Sequence, residues 1–355
     1  MSFGKNINLS IFGESHGVGI GIVMSGLPSG IKIDYDQILD EMSRRMPGKD
    51  KLSTARKESD IPIIQSGIFN DYTTGAPLCA VIKNSDTHSK DYSILKTHMR
   101  PGHADYSGNI RYNGYNDYRG GGHFSGRLTA PIVFAGAVAK QILDKQGIKI
   151  GAHISQIKNV YDTMFDKVNV DINTLQSLLN KEFPVLDNSK IQPMKNEILT
   201  AKEQLDSVGG KIECAIVGIK AGVGNPFFDS LESTIAHLAF SVPAVKGIQF
   251  GTGFGFATLN ASTANDEYIL DNDIIKTKTN HNGGILGGIT NGAPIIFEVV
   301  IKPTPSIAKE QDTINIQTNE PVKLEITGRH DPCIVHRAVV VIEAIAALSL
   351  LEIGV

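Results

Sequence analysis

The sequence predicts an α+β layered fold, on three observations. Strand-like stretches are separated by helical runs, but without the regular strand–helix alternation of a doubly wound sheet. A short motif recurs: Gly75-Ala76-Pro77 precedes a strand ending at Lys83, and Gly292-Ala293-Pro294 precedes one ending at Lys302. Each half then closes on a long apolar helix, after Gly122 and after Asp331. Element order and motif agree, which indicates an internal duplication with halves at about 6–150 and 208–355 inside one domain spanning 1–355.

The elements follow in order. Asn6 to Phe12 and Gly19 to Met24 read as strands joined by the Gly13–Val18 loop. Asp34 opens an amphipathic helix with Ile38, Met42 and Met46 on one face, and Pro47-Gly48 stops it. From Arg44 to Lys57 there are six basic residues and one acid with little apolar periodicity, so an exposed loop is expected. A helical pattern runs from about Ser125 to Lys145, and Asp162 to Lys202 is polar and expected at the periphery. Lys211 to Ile219 is a strand, and Asp229 with Glu232 three residues on forms a capping box for the next helix. Asp331 is placed at the N-cap of the last helix and Pro332 at its first position. Ala338 to Leu351 is almost wholly apolar and is interrupted by Glu343. At 14 residues it falls short of the roughly 20 that a membrane span needs, and a helix buried all round is expected.

Composition narrows the function. Hydrophobic residues make up 41% and charged residues 20% of the 355, as in an ordinary globular protein. A net charge of −3 gives no global attraction to nucleic acid or membrane, so an anionic ligand must be caught by local basic clusters. Cys79, Cys214 and Cys333 fit neither a disulfide framework nor zinc spacing, no metal-ligand set is predicted, and no leader pattern precedes the first strand. A reducing cytoplasm is the expected setting. In Gly251-Thr252-Gly253 the third glycine of a dinucleotide fingerprint is replaced by Phe256, and there is no Walker loop or His-Glu-x-x-His. Rossmann dehydrogenases, P-loop enzymes and zinc hydrolases are disfavoured.

Four constellations carry chemistry. Gly13-Glu14-Ser15-His16-Gly17 sets three polar groups between glycines at a strand end, where His16 offers a proton near neutral pH. In Arg100-Pro101-Gly102-His103-Ala104-Asp105 a fixed turn holds Arg100, able to grip a carboxylate or phosphate with two N–H groups, beside His103. Arg119-Gly120-Gly121-Gly122-His123-Phe124-Ser125-Gly126-Arg127 is a glycine loop running into a helix start, an anion site in outline. The fourth comprises His281 to Gly288, Lys302-Pro303-Thr304-Pro305-Ser306 and Gly328-Arg329-His330-Asp331-Pro332. His88, His98, His153 and His237 have no supporting motif and are expected to be structural or solvated.

From these residues alone the chain reads as an enzyme that binds phosphorylated anions, with a nucleotide or flavin phosphate among the candidates. Taken together, the strings from Gly13-Glu14-Ser15-His16-Gly17 to Arg329-His330-Asp331-Pro332-Cys333 resemble the chorismate synthase family along nearly the whole chain. That resemblance implies a sandwich of two antiparallel sheets around a helical layer with an internal pseudo-twofold, assembled as a homotetramer. It implies a lyase of the shikimate pathway converting 5-enolpyruvylshikimate-3-phosphate to chorismate and phosphate by 1,4-anti elimination, with reduced FMN and no net redox change. NADPH or an external flavin reductase would supply the reducing equivalents.

Carried over by residue, the resemblance makes His16 the acid that protonates the departing phosphate. His103 becomes a proton donor at the flavin pyrimidine, and Asp331 an aid to proton removal at flavin N5. FMN would be held by His123, Phe124, Ser125, Pro243, Ala244, Gly287, Lys302, Pro303, Thr304, Pro305, Ser306 and Arg329. Arg44, Arg45, Lys51, Arg100 and Arg127 would meet substrate or NADPH. The chain departs from the family at His123-Phe124, where Arg-Ser is usual, at Pro243, where Asn is common, and at Lys51, which keeps the charge of an arginine but not its fork. Two alternatives stay open at this point: an FMN-dependent reductase with net hydride transfer, and a non-catalytic homologue that binds flavin or anion only.

Overall fold

A computed structural model describes residues 2–48, 52–53, 58–85, 89–326 and 330–355. Two five-stranded antiparallel sheets enclose a layer of helices. In the first sheet the order is Ser2–Phe3, Asn8–Gly13, Gly19–Ser25, Leu78–Lys83, Pro62–Ser66. In the second it is Val160–Tyr161, Lys149–Ile157, Gly210–Val217, Ile295–Ile301, Val245–Phe250. Setting aside the short outer strands, each sheet is built from four strands in the spatial order first, second, fourth, third. A helix follows the second strand (Tyr35–Arg45, Leu231–Ser241) and another follows the fourth (Thr129–Asp144, Val335–Glu352). The second set begins at Lys149, earlier than the 208 expected from sequence, because Lys149–Ile157 pairs with Gly210–Val217 and not with the first sheet.

Alternation explains the packing. Ile20, Ile22 and Met24 on one strand, with Leu78, Ala80 and Ile82 on its neighbour, point to the same side and are buried against the helices. Thr129–Asp144 packs on the first sheet, Val335–Glu352 on the second, and the two helices on each other. They cross so closely that a Cβ at Gly136 would overlap the Ala344 backbone, so even alanine there would force them apart at about 1–3 kcal/mol.

Both of these helices are buried over most of their length, as expected for the last one, and the Glu343 carboxylate ties the layer together. Fully buried, it accepts from Arg44 Nη1 and Nη2 at 2.6 and 2.8 Å, Lys140 Nζ at 2.5 Å and the Ala152 amide at 3.1 Å. Three helices and a strand thus converge on one carboxylate.

Local expectations meet three corrections. Asp34 does cap its helix, accepting from the Gln37 amide, and Ile38 and Met42 are buried. The Leu231–Ser241 helix, however, is capped by Ser230, which accepts from Ser233 N, while Asp229 pairs with Lys5. The last helix starts only at Val335, with Ile334 at its N-cap and no side-chain cap, so Asp331 and Pro332 lie before it, and the Asp331 carboxylate is held by Arg337. Asp162 to Lys202 is not merely peripheral. Leu175 and Leu178 cover Ala215, Val217 and Ile296 on the outer face of the second sheet, and Met194 and Ile198 join the main core. Among the described residues no helix is long and apolar enough to cross a membrane.

Candidate active site

A cavity of about 1060 Å³ opens between the inner face of the first sheet, the helical layer and the segment around 237–246. One part of its wall is apolar, with Leu9, Ile11, Ile22, Ile132, Val341 and Ile345. Another is strongly polar, with Arg45, Arg100, His103, Arg127, Lys302 and Arg337.

The polar wall is built by long-range pairing. Asp60, in a left-handed conformation at φ 48°, is fully buried and receives Arg45 Nη1 at 2.5 Å and the Arg127 guanidinium. Burial alone would raise its carboxyl, yet the Arg45 and Arg127 charges hold it below the usual range. Burial, together with the Arg337 and Arg127 cations, lowers Arg45 to about 10 despite Asp60, so it stays charged at neutral pH. Arg337 grips Asp331 with Nη1 at 2.9 and 2.8 Å. Glu58 adds a third carboxylate 3.7 Å from Arg127 Nη2, so the three guanidiniums here are matched by three carboxylates, and the positive excess of the wall comes from Lys302 and Lys246.

The Arg100–Asp105 turn forms the next part. Arg100 donates from Nε to Asp105 Oδ2 and from Nη2 to Oδ1, both at 2.7 Å, and from Nη1 to Ser306 Oγ at 3.1 Å. His103 Nδ1 lies 2.6 Å from Asp105 Oδ1. The Lys302 ammonium donates to the Gly102 carbonyl, joining this turn to Lys302–Ser306. Burial and the nearby Lys246 cation lower the Lys302 ammonium below its usual range, and both lysines line the cavity.

Glycines shape the third part. Gly120, Gly121 and Gly122 stand at φ 58, 93 and 53°, a run of positive φ that only glycine adopts without strain, and Gly120 reaches the cavity lining. Ser125 caps the turn that follows by accepting from the Arg127 amide, and His123 Nδ1 lies 2.9 Å from the Gly13 carbonyl. Ala244, beside Pro243, also holds a positive φ of 75°, and its carbonyl accepts from Lys302 N at 2.9 Å.

Of the residues singled out from sequence, His103, Asp331, His123, Phe124, Ser125, Pro243, Ala244, Lys302, Thr304, Pro305, Ser306, Arg45, Arg100 and Arg127 line this cavity. Four do not. His16 sits behind the wall, its ring edge-on to Tyr92 at 4.9 Å and packed on Gly120, both of which do line it. Arg44 is turned to Glu41 and Glu343 inside the helical layer. Gly287 lies in the turn between Ile285–Leu286 and Ile289–Thr290, away from the wall, and Pro303 points off it. Lys51, Arg329 and His88 fall outside the described residues.

Sequence reasoning missed Asp60, whose partners lie 15 and 67 residues away with no local motif. It also gave no role to Asp105 and Arg337, although both stand inside or beside quoted strings. His237, expected to be structural or solvated, lines the cavity edge-on to Phe3 at 5.0 Å. His153 is structural, clamped between Asp162 and Glu213.

Comparison with known proteins agrees with this fold. The family model described as chorismate synthase matches residues 7–355. A chorismate synthase of Pyrococcus abyssi is 45% identical over 352 residues, covering 98% of this chain and 96% of that one. One of Chitinophaga pinensis is 44% identical over 351 residues, covering 99% and 95%. A solved structure titled "Crystal Structure of Chorismate Synthase" superposes with a TM-score of 0.78 at 27% identity, covering 99% of this chain and 92% of that one. With near-full-length relatives, a family match over residues 7–355 and a shared architecture, the chain belongs to the chorismate synthase family.

Proposed function

We propose that the chain is a carbon–oxygen lyase of the shikimate pathway. It eliminates phosphate from 5-enolpyruvylshikimate-3-phosphate in a 1,4-anti sense to give chorismate, and it requires reduced FMN without net redox change. The observation that carries this is one cavity walled by Arg45, Arg100, Arg127, Lys302 and Arg337, with His103 on its lining and His16 packed behind Gly120. A substrate with two carboxylates and a phosphate needs this excess of fixed cations in a chain of near-neutral net charge.

The residues present fit a flavin phosphate. Gly120 brings bare backbone to the cavity lining, where a Cβ would strike the His16 ring, and Lys302 and Lys246 both line the same cavity. His123 to Ser125, Pro243-Ala244, Lys302 and Thr304 to Ser306 would hold the cofactor, which when bound supplies an electron-rich ring beside the substrate. Arg45, Arg100 and Arg127 orient the substrate anions and keep water from them. His103 moves a proton at a ring nitrogen, and Asp331, fixed by Arg337, accepts one. His16 reaches the leaving phosphate through a shift of Gly120–Gly122, whose glycines permit it. External reductant, from NADPH or a flavin reductase, and a cytoplasmic setting belong to the same proposal.

The shared strand order of the two sheets supports an internal duplication within one domain. Leu270 and Ile275, opposite each other on an exposed hairpin, offer an apolar face for assembly as a homotetramer. The test is phosphate release from the substrate under anaerobic conditions. Release with dithionite-reduced FMN and none with oxidised FMN is expected; release that is indifferent to flavin would overturn the cofactor assignment.

A further inference from the structure

We propose that Asp105 is a positioning residue that fixes His103 as its Nδ1–H tautomer, so that Nε2 is the ring nitrogen that exchanges the proton. This rests on His103 being the proton-transfer group of the site. An ionised carboxylate only accepts hydrogen bonds. Asp105 is buried, which works against its charge, but the two-pronged grip of Arg100, a bond from the Arg100 amide at 3.1 Å and the His103 contact keep it ionised.

Two groups compete for His103 Nδ1: Asp105 Oδ1 at 2.6 Å and Arg100 Nη2 at 3.1 Å. They demand opposite states, since the carboxylate needs a proton on Nδ1 and the guanidinium needs a lone pair. The carboxylate prevails. Two lone pairs facing at 2.6 Å would repel, whereas Arg100 Nη2 already donates to Asp105 Oδ1 at 2.7 Å and loses little if Nδ1 does not accept.

The chemical consequence follows directly. With Nδ1–H anchored, the neutral ring offers a lone pair at Nε2 and the charged ring offers N–H at the same atom. A proton is therefore taken up and given back at one point without a ring flip. The Gly121 backbone packs against this ring, and a Cβ there would lie 3.1 Å from Nε2, so the ring is held from both sides.

The experiment uses histidine-labelled full-length protein and ¹⁵N NMR, with the His103 signals assigned through their loss in His103→Gln. Nδ1 protonated in the neutral ring is the expected result; a proton on Nε2 overturns the proposal. In Asp105→Asn, Arg100 takes the only amide oxygen and the NH₂ group turns to Nδ1, so the proton is expected to move to Nε2. kcat should then fall by about 10²–10⁴-fold with a changed pH profile. If Asp105 merely braces Arg100, Asp105→Asn will raise KM and lower the thermal midpoint while tautomer and kcat profile stay as they were, which also overturns it. The tautomer is read without substrate. A lack of turnover in the unaltered protein would count against the lyase assignment alone.

Discussion

Arg337 Nη1 lies 2.9 and 2.8 Å from the two carboxylate oxygens of Asp331, while its Nε donates to the Arg45 carbonyl at 3.0 Å. One guanidinium thereby binds the turn before the last helix to the end of Tyr35–Arg45, placing an acid and a cation on opposite sides of the same wall. Arg337→Ala removes charge-assisted bonds worth about 1.5–3 kcal/mol, so turnover is expected to fall by about 10–100-fold with a modest change in thermal midpoint. Arg337→Lys should recover only part of it, because an ammonium has no fork. Wild-type kcat in a folded Arg337→Ala protein would remove Arg337 from the account.

Glu343 predicts acid behaviour. Burial opposes its charge, but Arg44 and Lys140 pull the carboxyl from 4.5 down to about 2. A folded value below the unfolded one gives stability that is complete above about 4.5 and lost as pH falls through about 2. Glu343→Gln strands two buried cations and should cost about 3–5 kcal/mol at neutral pH, with a flatter loss on acidification. Thermal midpoints of both proteins between pH 7 and 2 check this; parallel curves would contradict it.

The second sheet should show the opposite trend. His153 has no exposed surface, and both ring nitrogens sit 2.9 Å from carboxylates, Asp162 on one side and Glu213 on the other. Donating to both requires the imidazolium. Burial disfavours it, but the two carboxylates prevail and raise the ring above 6.5. Its stabilisation is complete below that value and lost as pH rises through the raised one. Asp162 also accepts from the Leu186 and Asp187 amides. Hydrogen exchange at these amides should therefore quicken at alkaline pH in the wild type, and His153→Gln should exchange fast throughout. Equal protection at all pH values would argue for a neutral ring.

Much of this was legible in the sequence, and the rest was hidden for physical reasons. Period-two alternation around Ile20, Ile22 and Met24 announced a half-buried strand, and the Asp34 cap and the apolar run around Glu343 announced helices, because these signals are local. The glycine turns marked the site for the same reason. What failed depended on partners distant in sequence. Asp331 looks like a cap until Arg337 claims it, and Arg44 looks like a substrate cation until Glu343, 299 residues away, takes it. Asp229 was placed at a cap that the neighbouring Ser230 fills, a shift of one residue that spacing alone does not resolve.

Gly120 is predicted to be irreplaceable. It stands at φ 58°, and a Cβ there would overlap the His16 ring and crowd Ser15 Oγ. Gly120→Ala adds about 1–2 kcal/mol of left-handed strain and displaces His16. Turnover at saturating substrate should fall by about 10²-fold or more, as expected when a positioned acid is lost. If the variant folds and retains more than about a tenth of wild-type turnover, His16 is not the acid for the leaving phosphate.

The central claim is elimination without net redox, and it is tested by following phosphate release and the flavin spectrum together, anaerobically, in one reaction. The account predicts many phosphates released per enzyme-bound reduced FMN, with the flavin still reduced when substrate is exhausted. One oxidised flavin formed for each phosphate released would contradict it.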